Sequence, residues 1–124
     1  MSGTDLDQVL LDALAAHRSG ALAEAAEGYR RVLTAIPDQP DALHLLGQVL
    51  LTAGKPDLGF GLVLRAVTAA PDEASFIRTA LLQSPAMSAA RKAAMARRAI
   101  ALDPADPTAW LSLAEAEPSS ATVV

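Results

Sequence analysis

Apolar positions along this chain recur at steps of three and four, the period of a helix with one buried face, and not in the alternation of a strand. The clearest stretch runs from Pro40 to Pro71, PDALHLLGQVLLTAGKPDLGFGLVLRAVTAAP. Leu43, Leu46, Gly47 and Leu50 share one face of a first helical arm. Gly54 falls where a helix-ending glycine belongs, and Gly59, Val63 and Ala66 line a second arm that Pro71 stops. The same pattern predicts a helix over about 5–17, with Val9, Ala13 and Ala16 on its packing face and a Ser19-Gly20 turn after it. It predicts another over 22–35, carrying Ala25, Tyr29 and Val32. Ile77, Ala80 and Leu81 mark a fifth helix, residues 89–102 a sixth, and Trp110, Leu113 and Ala114 a seventh. Thr4, Asp72 and Ser88 stand where caps accept backbone N–H groups. Gly59 and Gly61 both lie inside the second arm, where each glycine costs about 1 kcal/mol relative to alanine. Close helix packing would explain Gly59; Gly61 has no packing reason in the pattern.

Pro37, Pro71 and Pro104 follow helical runs (LTAIP, VTAAP, IALDP) at intervals of 34 and 33 residues. Proline cannot continue a helix and turns the residue before it away from helical angles. A period near 34 with this punctuation, and the spacing Leu-x-x-Leu-Gly-x-x-Leu then Gly-x-x-x-Val then Pro, resembles the tetratricopeptide repeat. The likeness covers residues 5–117, with repeats near 6–39, 40–73 and 74–106 and a lone final helix over 107–117. Asp12 and Leu81 depart from the family pattern, at its Leu and small-residue slots, and Leu81 implies looser packing in the third repeat. The resemblance implies an all-α solenoid of about seven helices, stacked as antiparallel pairs into a right-handed superhelix, with the first helix of each pair on the concave side. Residues 118–124, PSSATVV, read as a disordered tail.

Composition agrees with close helix packing. Of 124 residues, 52% are hydrophobic but only 3% aromatic, a balance that favours alanine-rich helices over sheet. The net charge of −4 and pI near 5.0 argue against nucleic acid and anionic membrane as partners. No cysteine is present, which excludes thiolate chemistry and disulfides. The N-terminus lacks a basic, apolar leader, and the chain is expected to be a cytoplasmic, bacterial protein.

Candidate chemistry is sparse. His17 and His44 are the only histidines, without metal-ligand spacing, and no glycine-rich phosphate loop or nucleophile elbow is present. The chain is therefore expected to be no enzyme, with no metal, no cofactor and no small-molecule substrate. Arg91, Lys92, Arg97 and Arg98 form the one basic cluster, with Arg91, Arg97 and Arg98 on one side of the sixth helix; a solvated outer face or a basic convex patch fits it.

Tetratricopeptide proteins bind peptides or helices of partner proteins in the concave groove, and the resemblance implies that role. Inward-pointing positions are Leu10, Leu14 and His17, then His44, Gln48 and Leu51, then Arg78 and Leu82, then Leu111 and Glu115. A well-known subset of the family clamps the C-terminal carboxylate of heat-shock chaperones with polar residues at these slots. Leu10 and Leu14 replace two of them, so an amphipathic helix or extended apolar segment suits the groove better, with Arg78, His44 and Gln48 as anchors. Leu10 and Leu14 also fit a core or a self-association surface. Two other expectations are a recruitment or dimerisation domain of a larger transferase-like bacterial enzyme, since LAAHRSGALAEAAEGYRRVL and PDALHLLG look like segments preceding such domains, and a self-assembling structural protein.

Overall fold

The structure, a computed structural model, describes residues 3–83 and 87–117. Its described residues form seven α-helices. They fall into two compact units, Met1–Ala70 and Pro71–Val124.

The first unit holds α1 (Gly3–Arg18), α2 (Leu22–Ala35), α3 (Pro40–Thr52) and α4 (Pro56–Ala69). Each helix pairs with the next, and α3 packs most closely on α4. Glycines end α1 and α3 in the same way. Gly20 has φ +86° and Gly54 φ +81°, angles that glycine adopts without a steric penalty. After α1, the Ala21 N–H donates to Ala16 O at 2.8 Å and Gly20 N–H to His17 O at 3.1 Å. After α3, Lys55 N–H donates to Leu50 O at 2.9 Å and Gly54 N–H to Leu51 O at 3.2 Å. These paired bonds satisfy carbonyls that a helix end would otherwise leave open. Prolines pre-set the first turns of α3 and α4. The Gln39 side chain accepts from Ala42 N–H at 2.6 Å to cap α3.

Tyr29, Leu43, Val49 and Val63 are fully buried and anchor this unit's core. At Gly47 and Gly59 the α3 and α4 backbones touch. A Cβ on Gly47 would lie 2.8 Å from Val63 Cγ2 and 2.9 Å from Gly59 O. A Cβ on Gly59 would lie 2.7 Å from Gly47 O. The sequence expectation that these slots must be small therefore has a direct steric cause. A Cβ on Gly61 would meet nothing within 4 Å, and nothing in the structure explains that glycine.

The second unit holds α5 (Ala74–Leu82), α6 (Ala89–Leu102) and α7 (Pro107–Ala116). Phe76, Ile77, Ala80 and Leu81 of α5 are buried, as are Ala93, Ala96 and Ala99 of α6. The alanine stripe makes α6 a thin helix that neighbours approach closely. Ser88 caps α6 as predicted, its Oγ accepting from Arg91 N–H at 3.2 Å. Asp106 caps α7 by accepting from Thr108 N–H at 3.0 Å.

Three local expectations need correction or fall outside the described residues. Asp72 does not cap α5; Glu73 occupies that position without a side-chain cap bond, and the Asp72 carboxylate faces Arg98 instead. The first helix begins at Gly3, ahead of the start expected after Thr4, whose side chain is not among those described. The expected tail 118–124 lies outside the described residues.

Candidate functional site

The inward positions divide by unit. In the first unit none is freely exposed. Leu10 packs against the cluster of Ala13, Ala25, Tyr29 and Leu46, which assigns it to the core rim. Leu51 lies against Gly59, where its Cγ would be 2.8 Å from an added Cβ. His44 is buried at 8% exposure. His17 shares a hydrogen bond with the Tyr29 hydroxyl through Nδ1 at 3.1 Å, its ring edge-on to the phenol. Leu14 and Gln48 are half-buried. Burial pushes the Tyr29 phenol above its usual range, and the Arg18 charge offsets part of that.

In the second unit the positions stay open. Leu82 and Leu111 are each 64% exposed. Both line one cleft of about 300 Å³, together with Glu115 and Lys92. Lys92 Nζ donates to Glu115 Oε2 at 2.6 Å, so a charge pair edges the apolar floor. Arg78 pairs with Asp106 at 3.7 Å. The structure thus brings Leu82, Leu111 and Glu115 to one opening, and ties Arg78 to the α7 cap instead of leaving it a free anchor.

The basic cluster is largely neutralised. Arg97 pairs with Glu117, Arg98 with Asp72, and Lys92 with Glu115. Sequence reading missed these pairs, although a signal existed. Arg65 donates to Pro37 O at 3.2 Å and to Asp38 at 3.4 Å. Arg98 donates to Pro71 O at 3.3 Å and faces Asp72. Both arginines and both Pro-Asp pairs sit one repeat apart, so the period alone relates them. Trp110, Leu113 and Ala114 mark α7 in the pattern, but the residues α7 buries are Ala109 and Ser112, and Trp110 is 52% exposed with its Nε1 donating to Pro104 O at 2.8 Å.

Among the described residues, no helix is long and apolar enough to cross a membrane, and no group of three or more His, Asp or Glu side chains is placed to hold a metal ion.

No protein-family profile matches the sequence, and no curated protein matches it. Solved structures do. The first TPR of Spaghetti (RPAP3), bound to HSP90 peptide SRMEEVD, superposes with a TM-score of 0.80 at 14% identity, over 98% of both chains. MamA matches with a TM-score of 0.77 at 15% identity, over 94% of this chain and 68% of that one. A mutant O-GlcNAc transferase from Thermobaculum terrenum matches with a TM-score of 0.74 at 31% identity, over 98% of this chain. Against that transferase this chain spans only 24% of the length. Helix pairs closed by glycine turns and proline stops, with likenesses over nearly the full chain, give the fold: an all-α solenoid of the tetratricopeptide-repeat type.

Proposed function

We propose that this chain is a non-catalytic protein–protein interaction module of the cytoplasm that binds an extended apolar peptide or amphipathic helix of a partner protein. The observation that carries the reading is the cleft at Leu82 and Leu111. Two large aliphatic side chains held in water at one opening, beside the Lys92–Glu115 pair, gain free energy when a partner covers them. The charge pair fixes the register of the peptide that lies there. The proposed contact set is Leu82 and Leu111 with Lys92 and Glu115; Leu10 and Leu51 belong to packing. The peptide complex of the RPAP3 neighbour supports peptide binding by this fold. That ligand is rich in carboxylates, whereas the large exposed side chains of the cleft here are Leu82 and Leu111, so the peptide proposed for this chain is apolar.

The test is selection from a displayed peptide library, followed by titration of the selected peptides into the parent and into Leu82→Glu and Leu111→Glu. Both variants place a charge on an exposed site and are expected to retain their helical circular dichroism. Binding is expected to fall by about tenfold or more in each, since an uncompensated buried charge costs more than 1.4 kcal/mol. Equal binding by parent and variants refutes the cleft as the site.

A second reading rests on the likeness to the transferase at 31% identity. In it, this chain is the repeat region of a larger transferase-like enzyme and recruits substrates or a second subunit. The mass of the native protein in its source cell tests this: a product much heavier than 12.8 kDa supports it, and a product of that mass excludes it.

A further inference from the structure

The cleft at Leu82 and Leu111 has a floor as well as lips, and the floor carries hydrogen-bond donors. Ser112 of α7 lines it and is only 5% exposed. Its hydroxyl makes no hydrogen bond to a described residue. Other helix hydroxyls turn back on their own chain: Thr34 donates to Arg30 O at 2.9 Å, Thr52 to Gln48 O at 3.0 Å and Thr68 to Leu64 O at 3.1 Å. Ser112 does not. Among the described residues no fully enclosed side-chain oxygen or nitrogen lacks a partner, so the Ser112 Oγ opens onto the cleft.

Lys92 is the second donor. Its side chain is 17% exposed, and its Nζ donates to Glu115 Oε2 at 2.6 Å. An ammonium carries three N–H donors, so this bond leaves others for a ligand. The Glu115 carboxylate cancels the lysine charge. The floor is therefore rich in donors and electrically neutral, beneath two aliphatic side chains. A ligand carboxylate buried there would face Glu115, and a ligand cation would face Lys92. The matching group is an uncharged acceptor. A helix spends its carbonyls on its own backbone, whereas each residue of an extended segment brings a free one. Size agrees: a cube of about 300 Å³ has an edge of about 7 Å, below the diameter of about 10–12 Å of a helix with its side chains.

We propose that Ser112 and Lys92 donate to a main-chain carbonyl of an extended apolar segment of the partner protein, an inference that rests on the peptide-binding role of the cleft and narrows its ligand. An aliphatic side chain of the same segment sits between Leu82 and Leu111. Ser112 and Lys92 are specificity-determining residues, and Glu115 keeps the site selective for a neutral group by cancelling the lysine charge.

The probe is the tightest peptide of the displayed library, synthesised with acetyl and amide ends so that it has no terminal carboxylate. Each amide in turn is replaced by an ester, which weakens one carbonyl as an acceptor. The series is titrated into the parent and into Ser112→Ala, which removes only the hydroxyl. Ser112→Ala is expected to bind the all-amide peptide about tenfold more weakly, because a covered carbonyl loses its partner. One ester is expected to weaken binding to the parent about fivefold and to have no further effect in Ser112→Ala. A probe ended at that carbonyl tests the charge. The parent is expected to prefer its amide form to its free acid, and Glu115→Gln, which leaves the lysine uncancelled, to prefer the acid. Equal binding by Ser112→Ala and the parent, ester effects that are the same in both, a parent preference for the acid, or helical circular dichroism of the bound peptide overturns the proposal. The two readings fail differently. Binding lost in Leu82→Glu but kept in Ser112→Ala removes the donor floor and leaves the cleft, whereas indifference to both substitutions, or no peptide selected, overturns both.

Discussion

Two glycines two positions apart in α4 are expected to respond to alanine with opposite signs. At Gly59 the added Cβ would sit 2.7 Å from Gly47 O, 2.8 Å from Leu51 Cγ and 2.9 Å from Leu51 N. Comfortable carbon contacts begin near about 3.5 Å, so α3 and α4 would have to part by several tenths of an ångström. Two of the three obstacles are backbone atoms, which cannot rotate away. Overpacking of this kind costs about 1–3 kcal/mol, and backbone obstacles place Gly59 at the upper end. Alanine returns about 1 kcal/mol of helix propensity. The net is a loss of about 2 kcal/mol. At Gly61 nothing lies within 4 Å of the added Cβ, so only the propensity gain of about 1 kcal/mol remains. For a chain of 124 residues, each kcal/mol moves the melting temperature by on the order of 4 °C. Thermal unfolding followed by far-ultraviolet circular dichroism should therefore show Gly59→Ala lower by about 8 °C and Gly61→Ala higher by about 4 °C. A Gly59→Ala protein as stable as the parent would refute the backbone contact. A destabilised Gly61→Ala would show that the position is filled or strained.

Other consequences are testable with equally simple readouts. Gly47→Phe, which forces a ring between α3 and α4, should cost more than Gly59→Ala in the same melt. The Tyr29 phenol has its folded pKa raised above the ordinary value of 10.0 by burial. Its stabilising share is thus present below pH 10 and lost as pH rises through the raised folded value, so urea midpoints should fall in that alkaline range. Tyr29→Phe should flatten that decline and cost about 1 kcal/mol at neutral pH through the lost His17 bond; tyrosinate absorbance with an ordinary midpoint would contradict the premise. Asp106→Ala should lower the urea midpoint of Trp110 fluorescence by an amount equal to about 1 kcal/mol, since it removes the α7 cap. Leu14→Glu should retain the helical circular dichroism at a cost of about 1 kcal/mol, because the side chain is only half-buried; a lost helical signal would place Leu14 in the core.

Helix number and order were legible because they rest on local rules. Gly54, the three proline stops and Ser88 each act within a few residues, and each is where the pattern puts it. Asp72 shows the limit of that logic. Its side chain could accept from a turn N–H or face an arginine, and the choice depends on Arg98, 26 positions away. The ion pairs escaped for the same reason, although the period holds their addresses: an arginine and a Pro-Asp pair that recur one repeat apart are candidates to meet. The Gly61 slot and the Trp110 side remain illegible from the pattern, since helical spacing fixes which residues share a face but not whether a neighbour covers that face.

That distinction explains why the predicted groove residues separate into two groups. An inward position stays free only if the residues behind it fill their own space. In the first unit they do not. Tyr29 reaches His17, and the glycine pair lets α4 come close enough to draw Leu51 into contact. Leu10 completes the packing around Ala13 and Tyr29. In the second unit the second arm offers alanines at positions 93, 96 and 99, which hold the core without reaching across it. Leu82 is the final residue of a nine-residue helix, and Leu111 lies on a helix that buries only Ala109 and Ser112. Small core residues and short first helices leave those leucines in water. Restoring bulk there, as in Ala96→Leu, should push α5 and α7 apart and degrade the cleft, while the same bulk added at Leu14→Phe should not.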